Sequence, residues 1–158
     1  MADSLATYLH DHHSGARFAI ELLESLRDQH SGQPIGEFAR DLLPKVEADR
    51  ATLQNVIDRI DDGASRLRNA AAWVSEKATE IKFGRGSLGA FEALEALALG
   101  VLGKVKLWEA LNRISLYDDR LRAFDFPGLA SRARMQHNEV EQLRLQAAEE
   151  TFAPAVRQ

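Results

Sequence analysis

Apolar residues recur along this chain in alternating steps of three and four, and three of these series are broken near their middle by a polar residue. Steps of this kind place side chains along one face of an α-helix, so each series predicts a long helix with one buried face. The three series are Leu5, Leu9, His12, Ala16, Ala19, Leu23, Leu26; Ile35, Ala39, Leu42, Val46, Asp49, Leu53, Val56, Ile60; and Leu129, Ala133, Gln136, Val140, Leu143, Ala147. The interruptions are His12, Asp49 and Gln136.

Glycine, proline and capping residues indicate where the helices begin and end. They predict four long helices, over about 4–30, 34–60, 87–116 and 126–152, and a shorter helix over about 65–82. The third long helix carries its own apolar series, which is Leu94, Ala98, Val101, Val105 and Trp108. No segment alternates between apolar and polar residues in the manner of a strand, so we expect no sheet.

Four helices of about 25 residues suit an all-α four-helix bundle, with the shorter helix packed alongside in the connection between helices two and three. The chain has 158 residues, of which 45% are hydrophobic. That is enough to bury the core of a single domain. We therefore predict one bundle domain over residues 1–152 and a frayed tail over residues 153–158.

Composition excludes several classes of function. The chain has no cysteine, so disulfides and thiolate metal sites are ruled out, and a reducing cytoplasmic location fits. The net charge is −4, with basic and acidic residues mixed along every segment, which disfavours nucleic-acid binding. The most apolar stretch, 88–103, contains Glu92 and Glu95 and is shorter than the roughly 20 residues of a membrane span. The first residues lack the basic and apolar segments of a signal peptide, so we expect neither secretion nor a membrane partner.

A glycine-rich segment, Gly84-Arg85-Gly86-Ser87-Leu88-Gly89, matches the letters of the dinucleotide-binding fingerprint. That fingerprint requires a preceding strand, whereas residues 76–83 are typical of a helix. We interpret the segment as a structural loop.

Two glycines, Gly100 and Gly103, lie inside the third long helix, where each costs about 1 kcal/mol relative to alanine. We interpret them as sites of close packing against a neighbouring helix, with a ligand pocket as the alternative. The two tryptophans, Trp73 and Trp108, are expected to be core or bundle-edge aromatics.

Asp49 is the most demanding of the interruptions, because an ionised carboxylate inside a bundle is unfavourable unless it is paired. The chain offers several partners: Arg50, His12, Lys104, an arginine of the last helix, or a metal ion. If helices one and two are antiparallel about Gly32, His12 and Asp49 differ in height by about 4 Å, at 1.5 Å per residue. The two side chains can therefore meet.

The remaining long helices can add to this layer. Helix three offers Glu95 at the edge of its apolar series, and helix four offers Gln136, or His137 beside it. We predict a buried polar layer made of His12, Asp49, Arg50, Glu95 and Gln136.

Imidazole and carboxylate side chains are also metal ligands, and four of them are consecutive in His10-Asp11-His12-His13. At 100° per residue they point in different directions around the helix, and only His12 lies at the centre of the apolar face. Two interpretations of His12 stay open: a hydrogen-bonded core residue, and a metal ligand.

Four long helices, a long connection between the second and third, and inward carboxylates and histidines near mid-height resemble the ferritin-like superfamily. Its di-iron members use a glutamate from each of two helices and a Glu-x-x-His pair from each of the other two. This chain departs from that pattern. Glu47-Ala48-Asp49-Arg50 has arginine where a ligand histidine would stand, and helix four has no such pair, since His137 precedes Glu139 and Glu141.

Two hypotheses follow from the resemblance. The first is a non-catalytic ferritin-like bundle that needs no cofactor, in which an ionic layer replaces the di-metal centre and which acts through its surface as a binding or stress-associated protein. The alternative is an oxidoreductase or metal-storage protein that binds iron or manganese through His12, Asp49, Glu95 and His137. In both cases we expect a homo-oligomer, with helix three and the connection over 117–126 as candidate interfaces. The sequence identifies no small-molecule ligand.

Overall fold

The computed structural model describes residues 4–61 and 83–154 of the chain, which form four α-helices and one 3-10 turn. The helices are α1 (Ser4–Gln29), α2 (Pro34–Ile60), α3 (Gly86–Ile114) and α4 (Phe126–Phe152), and the 3-10 turn is Asp119–Leu121. No strand occurs within the described residues, so the prediction of an all-α bundle of four long helices is confirmed. The predicted short helix over 65–82 lies outside the described residues.

Local sequence explains where the helices start and stop. The turn between α1 and α2 contains Gly32 at φ 75°, a left-handed conformation that suits glycine, and Pro34 follows as the first residue of α2. α4 is capped by Asp125, whose Oδ1 accepts a hydrogen bond of 3.0 Å from the backbone amide of Gly128. α3 begins at Gly86 and ends at Ile114, within two residues of the predicted bounds.

The glycine-rich segment was predicted to be a structural loop, but only its first two residues are non-helical, and its last four residues form the first turn of α3. Residues 83–85 are not helical, and Gly86 has a φ of 86°. A Cβ built on Gly89 would overlap the backbone carbonyl of Gly84, so glycine at position 89 lets the preceding loop lie against the first turn of α3, whereas a Cβ on Gly84 would meet nothing within 4 Å. Gly86 and Gly89 therefore have a local structural role.

The buried residues fall into two clusters, one at each end of the bundle. Core cluster 1 joins the start of α1, the end of α2, the end of α3 and the start of α4, and it includes Leu9, Ile57, Trp108 and Phe126. Core cluster 2 joins the opposite halves of the same helices, and it includes Leu23, Leu42, Leu94 and Val140.

These clusters fix the directions of the helices. α1 and α4 run one way, while α2 and α3 run the other way. Ile60, at the end of α2, belongs to core cluster 1, whereas Phe83, just before α3, packs against core cluster 2. The connection between α2 and α3 therefore links opposite ends of the bundle.

None of the helices within residues 4–61 and 83–154 combines the length and the apolar character that crossing a membrane requires.

Two glycines provide a matched test of this packing. A Cβ on Gly36 would overlap the backbone carbonyl of His30, whereas a Cβ on Gly15 would meet nothing within 4 Å. Alanine is favoured over glycine inside a helix by about 0.5–1 kcal/mol, so Gly15→Ala should raise the free energy of unfolding by about that amount. Gly36→Ala should lower it by about 1–3 kcal/mol, because the α1–α2 turn must shift.

Urea denaturation followed by circular dichroism measures both changes. Equal effects of the two substitutions would show that the turn does not approach Gly36 as described.

Candidate functional site

Three polar side chains from three helices meet between the two core clusters. The Nζ of Lys104 on α3 donates to Asp49 Oδ2 on α2 at 2.6 Å, and it also donates to Gln136 Oε1 on α4. Gln136 Nε2 donates in turn to Asp49 Oδ2 at 3.3 Å. We call this triad the ionic layer.

The ionic layer is largely shielded from solvent. Asp49 and Gln136 are 9% and 6% exposed, and the Lys104 side chain is 13% exposed. Burial lowers the pKa of Lys104, because it penalises the ammonium form, and the charge and hydrogen bond of Asp49 raise that pKa part of the way back. The carboxylate and the ammonium thus compensate each other in a place where neither would be stable alone.

The neighbours of the triad explain why these residues meet. Val46 and Leu53 flank Asp49 on α2, while Val101 and Val105 flank Lys104 on α3, and all four are buried. Their burial turns the intervening polar side chain toward the bundle axis. Of the partners that the sequence offered to Asp49, the structure selects Lys104.

A cavity of about 420 Å³ lies beside the ionic layer, between α1, α2 and α3. Much of its wall is apolar, formed by Ala16, Ala19, Val46, Leu53, Val101 and Leu107. Its polar boundary is formed by Asp11, His12, Asp49, Arg50, Lys104 and Trp108. A second cleft, between α2 and α4, reaches Asp49 and Gln136 from the other side.

The cavity corrects the interpretation of Gly100 and Gly103. Both glycines line it, together with Gly15 of α1, and a Cβ on any of the three would meet nothing within 4 Å. The interpretation of close helix packing is therefore wrong, because these positions border open space instead of a neighbouring backbone.

Two buried donors at this cavity have no acceptor within the described part of the chain. They are Nε of Arg50 and Nε1 of Trp108. Trp108 is 1% exposed and stacks on Phe126, with ring centroids 6.1 Å apart. Buried donors normally find a partner, so two orphans at one cavity are unusual.

The histidines of α1 lie at the edge of the site. His12 lines the cavity and makes an edge contact with Tyr8, with ring centroids 4.7 Å apart. Burial lowers the pKa of His12, against a smaller opposite effect of Asp11. His10 points elsewhere, and its Nε2 lies 2.9 Å from Oδ2 of Asp61, a hydrogen bond that ties the start of α1 to the end of α2.

Not all of the predicted polar layer assembles. Glu95 does not belong to it: its side chain is 51% exposed and pairs with Arg144 of α4 at 3.2 Å. The physical reason is twofold. Glu95 lies on the solvent side of buried Leu94, and nine residues separate it from Lys104, which is about 13.5 Å along a helix.

His12 and Arg50 border the cavity, but neither makes a described hydrogen bond to Asp49. His137 is half-buried beside Glu141, whose pKa it helps to lower after the larger contributions of Arg144. The α4 member of the layer is thus Gln136.

The residues present do not fit the di-metal centre that the resemblance implies. Within residues 4–61 and 83–154 no three His, Cys, Asp or Glu side chains are grouped so as to hold a metal ion. Asp49 is the one acidic side chain of the ionic layer, and the Lys104 ammonium takes its Oδ2. The Lys104 ammonium therefore lies beside Asp49, where a metal site would need further carboxylate ligands.

The sequence indicates the roles of two residues of this site, Lys104 and Arg50, only in part. Lys104 was one of several possible partners, although its position between Val101 and Val105 and four residues before Trp108 is a signal of an inward-facing cation. Arg50 was predicted as a member of the polar layer, but its Nε has no acceptor within residues 4–61 and 83–154, and this depends on helix positions that periodicity does not give.

Comparison of the chain with protein-family models, with curated proteins and with solved structures found no match in any of the three.

Removing the carboxylate of the ionic layer should leave the Lys104 ammonium buried and unpaired. We expect Asp49→Ala to lower the free energy of unfolding by about 3–5 kcal/mol, the usual effect of breaking a buried pair. Asp41→Ala on the same helix is the matched control. Asp41 is exposed, so its replacement should change stability by less than about 0.5 kcal/mol.

Replacing the whole layer, as Asp49→Leu with Lys104→Met and Gln136→Leu, should recover most of the lost stability. Chemical denaturation of the four proteins decides this. Equal stability of Asp49→Ala and the parent would mean that Asp49 is solvated.

His13 should make stability depend on pH. Burial, helped by the charges of Arg50 and His10, lowers its pKa from 6.5 to about 4. The unfolded chain therefore binds this proton more tightly than the folded chain. The contribution of His13 to stability is complete above pH 6.5 and is lost as the pH falls from about 6.5 to about 4.

Urea midpoints measured across this range should fall less steeply for His13→Asn than for the parent, while Ser14→Asn should follow the parent. Titration of the His13 ring by NMR with a pKa near 6.5 would contradict the described burial.

Proposed function

We propose that this protein is a non-catalytic, ligand-binding bundle of the ferritin-like type, in which the ionic layer takes the place of a di-metal centre. The helix directions support the proposal. α2 and α3 run the same way and are joined by one long connection, and a single long crossover distinguishes ferritin-like bundles from simple up-down bundles.

The observation that carries the proposal is the position of the Lys104 ammonium. It bonds to Asp49 and Gln136 at the centre of the bundle, between the two core clusters. An ammonium and a carboxylate that neutralise each other need no metal ion to balance the buried charge. The layer is then a structural element, and the adjoining cavity is the place left for a ligand.

The alternative, an iron- or manganese-dependent oxidoreductase or storage protein, requires His12, Asp49, Glu95 and His137 to act together. The geometry gives it less support, because Glu95 is engaged by Arg144 at the surface. The alternative also gives no role to the buried lysine.

Self-association remains a prediction. Leu99, Leu102, Leu116 and Tyr117 are exposed on α3 and just beyond it, and they are the side chains that an interface between copies would cover.

Elemental analysis of the tag-free protein, together with thermal melting, tests the proposal. We expect no metal in stoichiometric amount, and a melting temperature that is the same with and without EDTA, because removal of a ligand lowers the melting temperature only if the native state binds it. Lys104→Met serves as the second arm, since it should destabilise the protein without creating metal dependence.

Two tightly held irons or manganeses per chain, or a melting temperature lowered by the chelator, would overturn the proposal.

A further inference from the structure

Two hydrogen-bond donors line the cavity beside the ionic layer without a described acceptor. Arg50 Nε and Trp108 Nε1 are both buried and both lack an acceptor within the described part of the chain. Both residues line the same cavity. A guanidinium can only donate, and so can an indole nitrogen, so the missing group must be an acceptor.

The buried guanidinium nitrogen without an acceptor indicates that this acceptor is an anion. The titratable groups that line the cavity are two acidic residues, Asp11 and Asp49, two basic residues, Arg50 and Lys104, and His12, whose pKa is lowered by burial. Lys104 is paired with Asp49 at 2.6 Å, whereas Arg50 forms no ion pair within the described part of the chain. Asp11 also borders the cavity and raises the pKa of His12 there, but Asp11 is exposed to solvent, whereas Arg50 Nε is buried.

The remaining wall indicates what the anion is attached to. Alanine, valine and leucine side chains from α1, α2 and α3 form an apolar surface, and three glycines leave space where side chains would otherwise stand. A volume of about 420 Å³ is within the usual range of small-molecule sites, roughly 300–1,000 Å³. Such sites combine apolar walls with a few polar groups that orient the ligand.

We propose that this cavity binds a small organic monoanion, a carboxylate with an apolar body. The carboxylate accepts hydrogen bonds from Arg50, and the apolar body lies between α1 and α3 over Gly15 and Gly100. This inference rests on the proposed ligand-binding function and adds the chemical class of the ligand. A carboxylate suits the site because a guanidinium binds its two oxygens at once.

Octanoate and octanol test the charge, because they share an apolar chain and differ in the head group. Isothermal titration calorimetry of the full chain should show saturable binding of octanoate, and octanol should bind at least 10-fold more weakly. Arg50→Gln should weaken octanoate binding by about 10- to 100-fold, the worth of a charge-assisted hydrogen bond, and leave octanol binding unchanged. Arg40→Gln, which removes an exposed arginine of α2, is the matched control and should have no effect on either probe.

Filling the cavity tests its location. Gly100→Leu should abolish binding of both probes while keeping the helical circular dichroism spectrum, since leucine favours a helix more than glycine does. Ala110→Leu places the same side chain on an exposed position of α3 outside the cavity and should leave binding intact.

One readout needs no variant. Saturation with octanoate should raise the pKa of His13 in an NMR titration, because the anion offsets the Arg50 charge that helps to lower it.

Equal affinity for octanoate and octanol, or octanoate binding that survives Arg50→Gln, would overturn the anion assignment and leave a ligand-binding role in place. Absence of binding by both probes would overturn the anion assignment and the ligand-binding role together. The metal analysis described above tests the ionic layer separately.

Discussion

The contact between the Lys104 ammonium and Asp49 Oδ2 constrains the rest of this bundle. Apolar helix faces can slide past one another by a turn with little change in buried area, but a slide here would leave a carboxylate and an ammonium unpaired among valines and leucines. Gln136 extends the same constraint to α4. The ionic layer thus sets the relative heights of three helices, in the way that single polar positions fix register in coiled coils.

The helix α1 takes no part in the ionic layer. Instead, its Gly15 lines the cavity together with Gly100 and Gly103 of α3. Because these three residues are glycines, no side chain fills the space beside them. The space lies next to the ionic layer, and its lining combines polar side chains with apolar side chains of the three helices. Arg50, one residue beyond Asp49, lines this space, and its Nε has no acceptor within residues 4–61 and 83–154.

The periodicity of the sequence contains enough information to predict the helices and two of the three members of the layer. Asp49 and Gln136 interrupt apolar series and are buried with the faces that they interrupt, whereas His12, the third interruption, is only half-buried. Lys104 stands beside its series, so its role depends on how far α3 is rotated about its axis. The prediction for Glu95 has the same limitation. A residue at the edge of an apolar face can lie on the buried or on the exposed side, and Glu95 lies on the exposed side. The glycines of α3 were ambiguous because a missing side chain permits both contact and empty space, and only helix positions distinguish the two.

The connection between opposite ends of the bundle divides the chain into two helical hairpins, α1 with α2 and α3 with α4. Asp49 belongs to the first hairpin, whereas Lys104 and Gln136 belong to the second, 55 and 87 residues further along the chain. Each hairpin made alone carries an uncompensated charge on the surface it must bury, which keeps that surface hydrated and disfavours pairing with an arbitrary apolar partner. Docking of the two hairpins brings the Asp49 carboxylate against the Lys104 ammonium, so the charges that the two halves contribute neutralise each other only in the complete bundle.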